Sequence, residues 1–230
     1  MSATSATPPT TRTGRRPQPG PPLLLPATSL ALLTVAYTVV NRATPHPDAP
    51  ASAVLQYAEQ HGGTMRLGAF LLLAAAMPVL LLSAVLNQRL RLLGVTGPGA
   101  AIALVGGVLA GGALSLSAAT AWAGSRLAAD SPPALARALA NLSFVSGGPV
   151  FAAGFGLLAA GISVSALKTG LLPRALAWSG VLVTALGLLG LLALLVGGFG
   201  YLLPAVRFGG LVWLLLAAWK LPRTRRRTNA

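Results

Sequence analysis

Six apolar runs, each about the length of a bilayer crossing, constrain this chain more than any other feature. They cover 23–40, 67–86, 100–122, 142–167, 175–196 and 202–219, and none contains Asp, Glu, His or Lys. A membrane-spanning helix needs ~20 predominantly apolar residues. A helix also satisfies its own backbone groups, which hydrocarbon cannot do. Only 9% of the 230 residues are charged, against roughly a quarter in a soluble domain. The expected fold is therefore all-α: a polytopic transmembrane helix bundle of six spans.

Three regions follow from composition. Residues 1–22 form a Thr/Pro-rich tail with Arg12, Arg15 and Arg16 and few apolar side chains to bury, so disorder is expected. Residues 23–219 form the six-helix domain, and 220–230 form a polybasic tail. The first run competes with a secretory signal peptide, whose apolar core is about 7–15 residues. The 23–40 run is longer, and Val40-Asn41-Arg42-Ala43 is a poor cleavage site. Arg15-Arg16 is followed by Pro-Gln-Pro, which does not suit a twin-arginine signal.

Between the first two runs, Asp48 is expected to N-cap a short helix with Pro50 in its first turn, ending at Gly62-Gly63. Val54, Leu55 and Ala58 share one face, opposite Gln56, Glu59 and Gln60, which predicts a piece lying on the membrane surface. Pro78 predicts a kink in the second span. Gly107 and Gly111 have the spacing that lets helices approach closely, although 27 glycines make such pairs common by chance. Ser131 is expected to cap a helix that begins at Pro132-Pro133. Gly147-Gly148-Pro149 interrupts the fourth span, and the turn at 197–200 makes the last two spans a hairpin. No repeat relates the two halves.

With the N-terminus inside, twelve basic residues fall on inner segments and five on outer ones: Arg42, Arg66, Arg126, Arg137 and Arg207. The positive-inside rule then places both termini in the cytoplasm. Asp48, Glu59 and Asp130, the only acids, all fall outside. Trp122 and Tyr201 are placed near the outer surface, Trp178 and Trp219 near the inner one, and Trp213 within the packing. Arg207 lies about one turn inside the sixth span and is expected to snorkel outward.

The net charge of +14 would suggest nucleic acid in a soluble protein. Here the basic residues sit at span ends, so the partner they imply is a lipid bilayer containing anionic lipid, not nucleic acid. Lys220, Arg223, Arg225, Arg226 and Arg227 are the expected lipid-contact cluster.

Little chemistry is on offer. There is no cysteine, which removes disulfides, thiolate metal sites and thiol catalysis. His46, Asp48, Glu59 and His61 gather on the first outer loop, but their spacing matches no zinc motif. No nucleophile elbow or phosphate-binding loop appears. No catalytic, cofactor-binding or metal-binding residue is assigned. The most suggestive intramembrane group is Asn141, Ser143, Ser146, Gly147, Gly148 and Pro149, because interrupted helices expose backbone groups to a ligand. Ser115, Ser117 and Thr120 are further hydroxyls, which in spans commonly bond their own helix or a neighbour.

The stretch Gly170-Leu-Leu-Pro-Arg-Ala-Leu-Ala-Trp-Ser-Gly180, with Pro173-Arg174 at a basic turn and Trp178 and Gly180 entering an apolar helix, resembles uncharacterised six-span integral membrane proteins of actinobacteria. The resemblance covers the last third of the chain and transfers no site residues. It implies six spans in a bacterial cytoplasmic membrane. The expected role is a non-enzymatic membrane protein that packs with a membrane-protein partner or a second copy, or that offers a small intramembrane cavity. The alternatives are a passive transporter or permease subunit using a broken fourth span, and a membrane enzyme using the first outer loop.

Overall fold

The computed structural model describes residues 22–46 and 48–222, among which there is no strand. Six apolar helices run in order: α1 (Leu24–Val40), α2 (Ala51–Leu92), α3 (Gly99–Gly124), α4 (Pro133–Thr169), α5 (Arg174–Leu194) and α6 (Gly197–Lys220). The last five are long and apolar enough to cross a membrane. α1 has 17 residues, the lower limit for a span, and rises ~26 Å against a hydrocarbon core of ~30 Å. This is the architecture of a multi-pass helical membrane protein.

Sequence neighbours pack side by side, and α1 closes the bundle by packing against both α2 and α6. The first residues of α1 and the last of α6 share one end, called here the terminal end. Large apolar side chains such as Leu32, Phe70, Leu81, Val105, Leu182 and Val212 lie outside, whereas alanine, glycine and serine dominate the helix contacts. Lipid is as apolar as leucine, so helices gain by close backbone approach rather than by hiding large side chains. Trp122, Trp178, Trp219 and Tyr201 are exposed, while Trp213 is buried and its indole Nε1 donates to the Leu176 carbonyl at 2.9 Å.

α3 presents two small-residue seams. A Cβ on Gly107 would come within 2.3 Å of Ser83 on α2, and one on Gly111 within 2.7 Å of Leu80, so this pair lies at a real helix contact. The second seam is against α4: a Cβ on Gly106 would lie 2.3 Å from the Leu158 nitrogen, and one on Gly161 2.4 Å from the Ala103 nitrogen.

Several local expectations are corrected. The short helix meets the second span at a kink at His61 (φ −121°, ψ 22°), one residue before the expected stop at Gly62-Gly63, and the backbone keeps helical angles through Pro78. The N-cap position is Pro50 rather than Asp48, and no side chain caps it. Leu55 and Ala58 are buried against the bundle, and Gln56, Glu59 and Gln60 are exposed. Ser131 is not a helix cap either: α4 begins at Pro133, and the Ser131 hydroxyl accepts from the Ala128 N–H at 3.0 Å, closing the preceding turn.

The fourth span is not broken. α4 runs through Ser146–Val150 as a five-residue π turn. Proline at 149 has no N–H to give to the Val145 carbonyl, which loosens the α ladder at that point. A second π turn, Ala205–Gly209, follows Pro204 in α6. Such wide turns are rare and concentrate at functional sites.

Candidate functional site: a cavity between two wide turns

Both π turns face one cavity of about 520 Å³ at the end opposite the start of α1 and the end of α6. Its walls come from the end of α1, the start of α2, the end of α3, and the first halves of α4 and α6; α5 contributes nothing. Most of the lining is apolar, with Leu72, Phe144, Phe151 and Leu203 among it. The exposed Arg42, Thr44 and His46 stand at the loop side, and the exposed Phe144, Pro204 and Phe208 at the flank.

The two turns are joined by one bond. In α geometry the Phe151 N–H would donate to the Gly147 carbonyl. In the π turn it donates to Ser146 and Gly148 instead. The Gly147 carbonyl accepts from Arg207 Nη2. The Arg207 guanidinium also lies 5.1 Å from the Phe151 ring centre and 6.0 Å from that of Tyr37, within cation–π range. Arg207 therefore does not snorkel outward as expected; it is turned into the bundle. No carboxylate pairs with it: among the described residues the one carboxylate within 4 Å of a basic side chain is Asp48, whose Oδ2 lies 3.2 Å from His46 Nδ1, well exposed.

Other groups complete the wall. Val54, Tyr57 and Ala58, from the stretch of α2 before His61, roof the cavity. Arg137 pins that roof by donating from Nη1 to the Ala49 carbonyl. The Tyr57 ring stacks on His61 at 4.5 Å, and the Tyr57 hydroxyl is buried with no hydrogen-bond partner. Opposite, Ser117 and Ser143 lock α3 to α4: Ser117 Oγ donates to the Ser143 carbonyl at 2.9 Å, and Ser143 Oγ donates to the Ser117 carbonyl at 3.1 Å.

Of the six intramembrane residues singled out from sequence, Asn141, Ser143, Gly147 and Gly148 line the cavity. Ser146 and Pro149 are buried outside the lining, and the Ser146 hydroxyl is spent on the Leu142 carbonyl at 2.6 Å. Ser115 and Thr120 bond carbonyls of their own helix, whereas Ser117 reaches a neighbour. His46, Asp48, Glu59 and His61 do not converge; among the described residues no three potential metal ligands come together. Of the basic cluster, Lys220 lies 4.4 Å from the Trp219 ring centre, and Arg223, Arg225, Arg226 and Arg227 lie outside the described residues.

Sequence reasoning missed Tyr37, Tyr57 and Arg137 as wall residues and mistook the direction of Arg207. The available signal was Arg207 itself, a lone cation within an apolar run. No family model, curated protein or solved structure matches this chain.

Proposed function

We propose that this chain is a non-enzymatic multi-pass protein of a bacterial cytoplasmic membrane that binds a small molecule in the cavity between its two π turns. The positive-inside count would put both termini in the cytoplasm and the cavity mouth on the outer side. The observation that carries the reading is the Arg207–Gly147 bond. It ties two rare turns to one another at the wall of a chamber large enough for a ligand. An enzyme reading draws no support from His46, Asp48, Glu59 and His61, of which only His46 and Asp48 come together.

A transporter reading has one supporting observation. A second recess of about 350 Å³ lies at the terminal end between α3 and α4, lined by Gly99, Ile102, Gly161 and Lys168 among others. The Gly106–Leu158 seam closes the same helix pair nearer its middle. Passage would require that seam to open.

The test uses full-length protein extracted in a mild detergent and titrated with uncharged and anionic single-chain amphiphiles, with binding read by native mass spectrometry. Saturable binding that is lost in Ala140→Trp, which fills the cavity wall, is the expected result. Binding unaffected by Ala140→Trp would overturn the assignment to this cavity.

A further inference from the structure

We infer that the ligand is an anionic amphiphile, with its phosphate, carboxylate or sulfate head on the Arg207 side of the cavity and its tail along the apolar wall. The inference rests on the cavity-binding reading above and adds the charge and shape of what is bound.

Charge gives the first argument. The lining holds Arg42, Arg137 and Arg207 and no Asp or Glu. The chain has only three acids. Glu59 and Asp130 lie outside the lining, and the exposed Asp48 is engaged by His46 at the mouth. The cavity is thus cationic, and among the described residues no carboxylate lines it.

Arg207 gives the second. It sits ten residues beyond Gly197, the start of α6, ~15 Å along the helix, where a charge is costly unless paired. Its Cζ lies over the Phe151 and Tyr37 rings, and the Gly147 carbonyl accepts one of its five N–H donors. A carbonyl and two rings orient a guanidinium but do not cancel its charge. An anion would, through the fork geometry that suits carboxylates and phosphates. The Tyr57 hydroxyl, buried in the roof with no partner, is a further donor for the same head.

Shape gives the third. A free inorganic anion would not need the apolar lining of Leu72, Phe144 and Leu203, nor a flank where Phe144, Pro204 and Phe208 are exposed. Those residues suit an alkyl tail that enters from the bilayer. A lipid-like amphiphile and a free anion share the head chemistry, and the tail distinguishes them.

The experiment compares three compounds on full-length wild-type protein in an uncharged detergent: dodecyl phosphate, dodecanol and inorganic phosphate. Dodecyl phosphate should bind at least tenfold more tightly than dodecanol, the scale of a charge-assisted hydrogen bond. Inorganic phosphate should not compete at equal concentration. Arg207→Gln should lose about tenfold for dodecyl phosphate and leave dodecanol unchanged, and Arg207→Lys should recover part of the loss. Equal affinity for dodecyl phosphate and dodecanol would overturn the inference while leaving the cavity-binding reading intact. Competition by inorganic phosphate as strong as by dodecyl phosphate would overturn the amphiphile. Failure of both alkyl compounds to bind would sink both readings. Should Arg207→Gln not fold, the wild-type comparison of head groups decides alone.

Discussion

Gly180 shows how tightly single positions are specified. A Cβ there would lie 1.9 Å from Ser163 Oγ and 2.5 Å from Trp213 Cζ2. The buried Trp213 indole, anchored to the Leu176 carbonyl, occupies the space a side chain would need. Gly180→Ala is expected to cost ~1–3 kcal/mol, the usual penalty of overpacking. Thermal unfolding in detergent checks this, with Gly112→Ala as the control. A Cβ at Gly112 meets nothing within 4 Å, so that variant should hold or slightly raise the melting temperature, since alanine is the better helix former. The two glycines look alike in an apolar run; only the neighbours separate them.

At the scale of elements, α2 and the end of α6 are held together by a buried arginine. Arg89 is 2% exposed, and it donates from Nε to the Pro222 carbonyl at 3.1 Å and from Nη2 to the Leu221 carbonyl at 3.3 Å. These carbonyls follow the last turn of α6 and lack helical partners of their own. Arg89→Met should leave them unsatisfied at ~1–3 kcal/mol. Amide hydrogen exchange should then rise in residues 217–222 while α3 stays protected; uniform exchange across both would refute the clamp. In the charge count Arg89 served only as an inner-side cation. Its spacing from other residues gives no hint of carbonyls more than 130 positions away. The π turns were equally hidden. Gly147-Gly148-Pro149 marked a weak point in a helix, but whether such a point breaks, kinks or widens depends on what receives the freed carbonyl, and Arg207 lies 60 residues on.

For the whole molecule, the fold predicts that segments 41–50, 125–132 and 195–198 share one side of the membrane, with 93–98 and 170–173 on the other. The chain contains no cysteine, so any introduced one is a clean reporter. Ala43→Cys, Ala128→Cys and Gly198→Cys should all react with an impermeant maleimide applied to intact cells, and Thr96→Cys only after permeabilisation. Labelling of Thr96→Cys together with Ala43→Cys would refute the threading.

The span pattern was legible because its cause is local: lipid accepts a run of apolar residues whatever else the chain does, so length and hydropathy suffice to place each crossing. The inward direction of Trp213 followed from the same logic of depth, whereas the spacing of Gly107 and Gly111 left chance open until the structure placed both against α2. The cavity did not follow. It depends on the rotation of each helix about its axis, which in an evenly apolar helix leaves little imprint on sequence and is set by small-residue seams such as Gly106 on Leu158. Packing alone turned Arg207 inward and brought Tyr37, Tyr57 and Arg137 around one chamber.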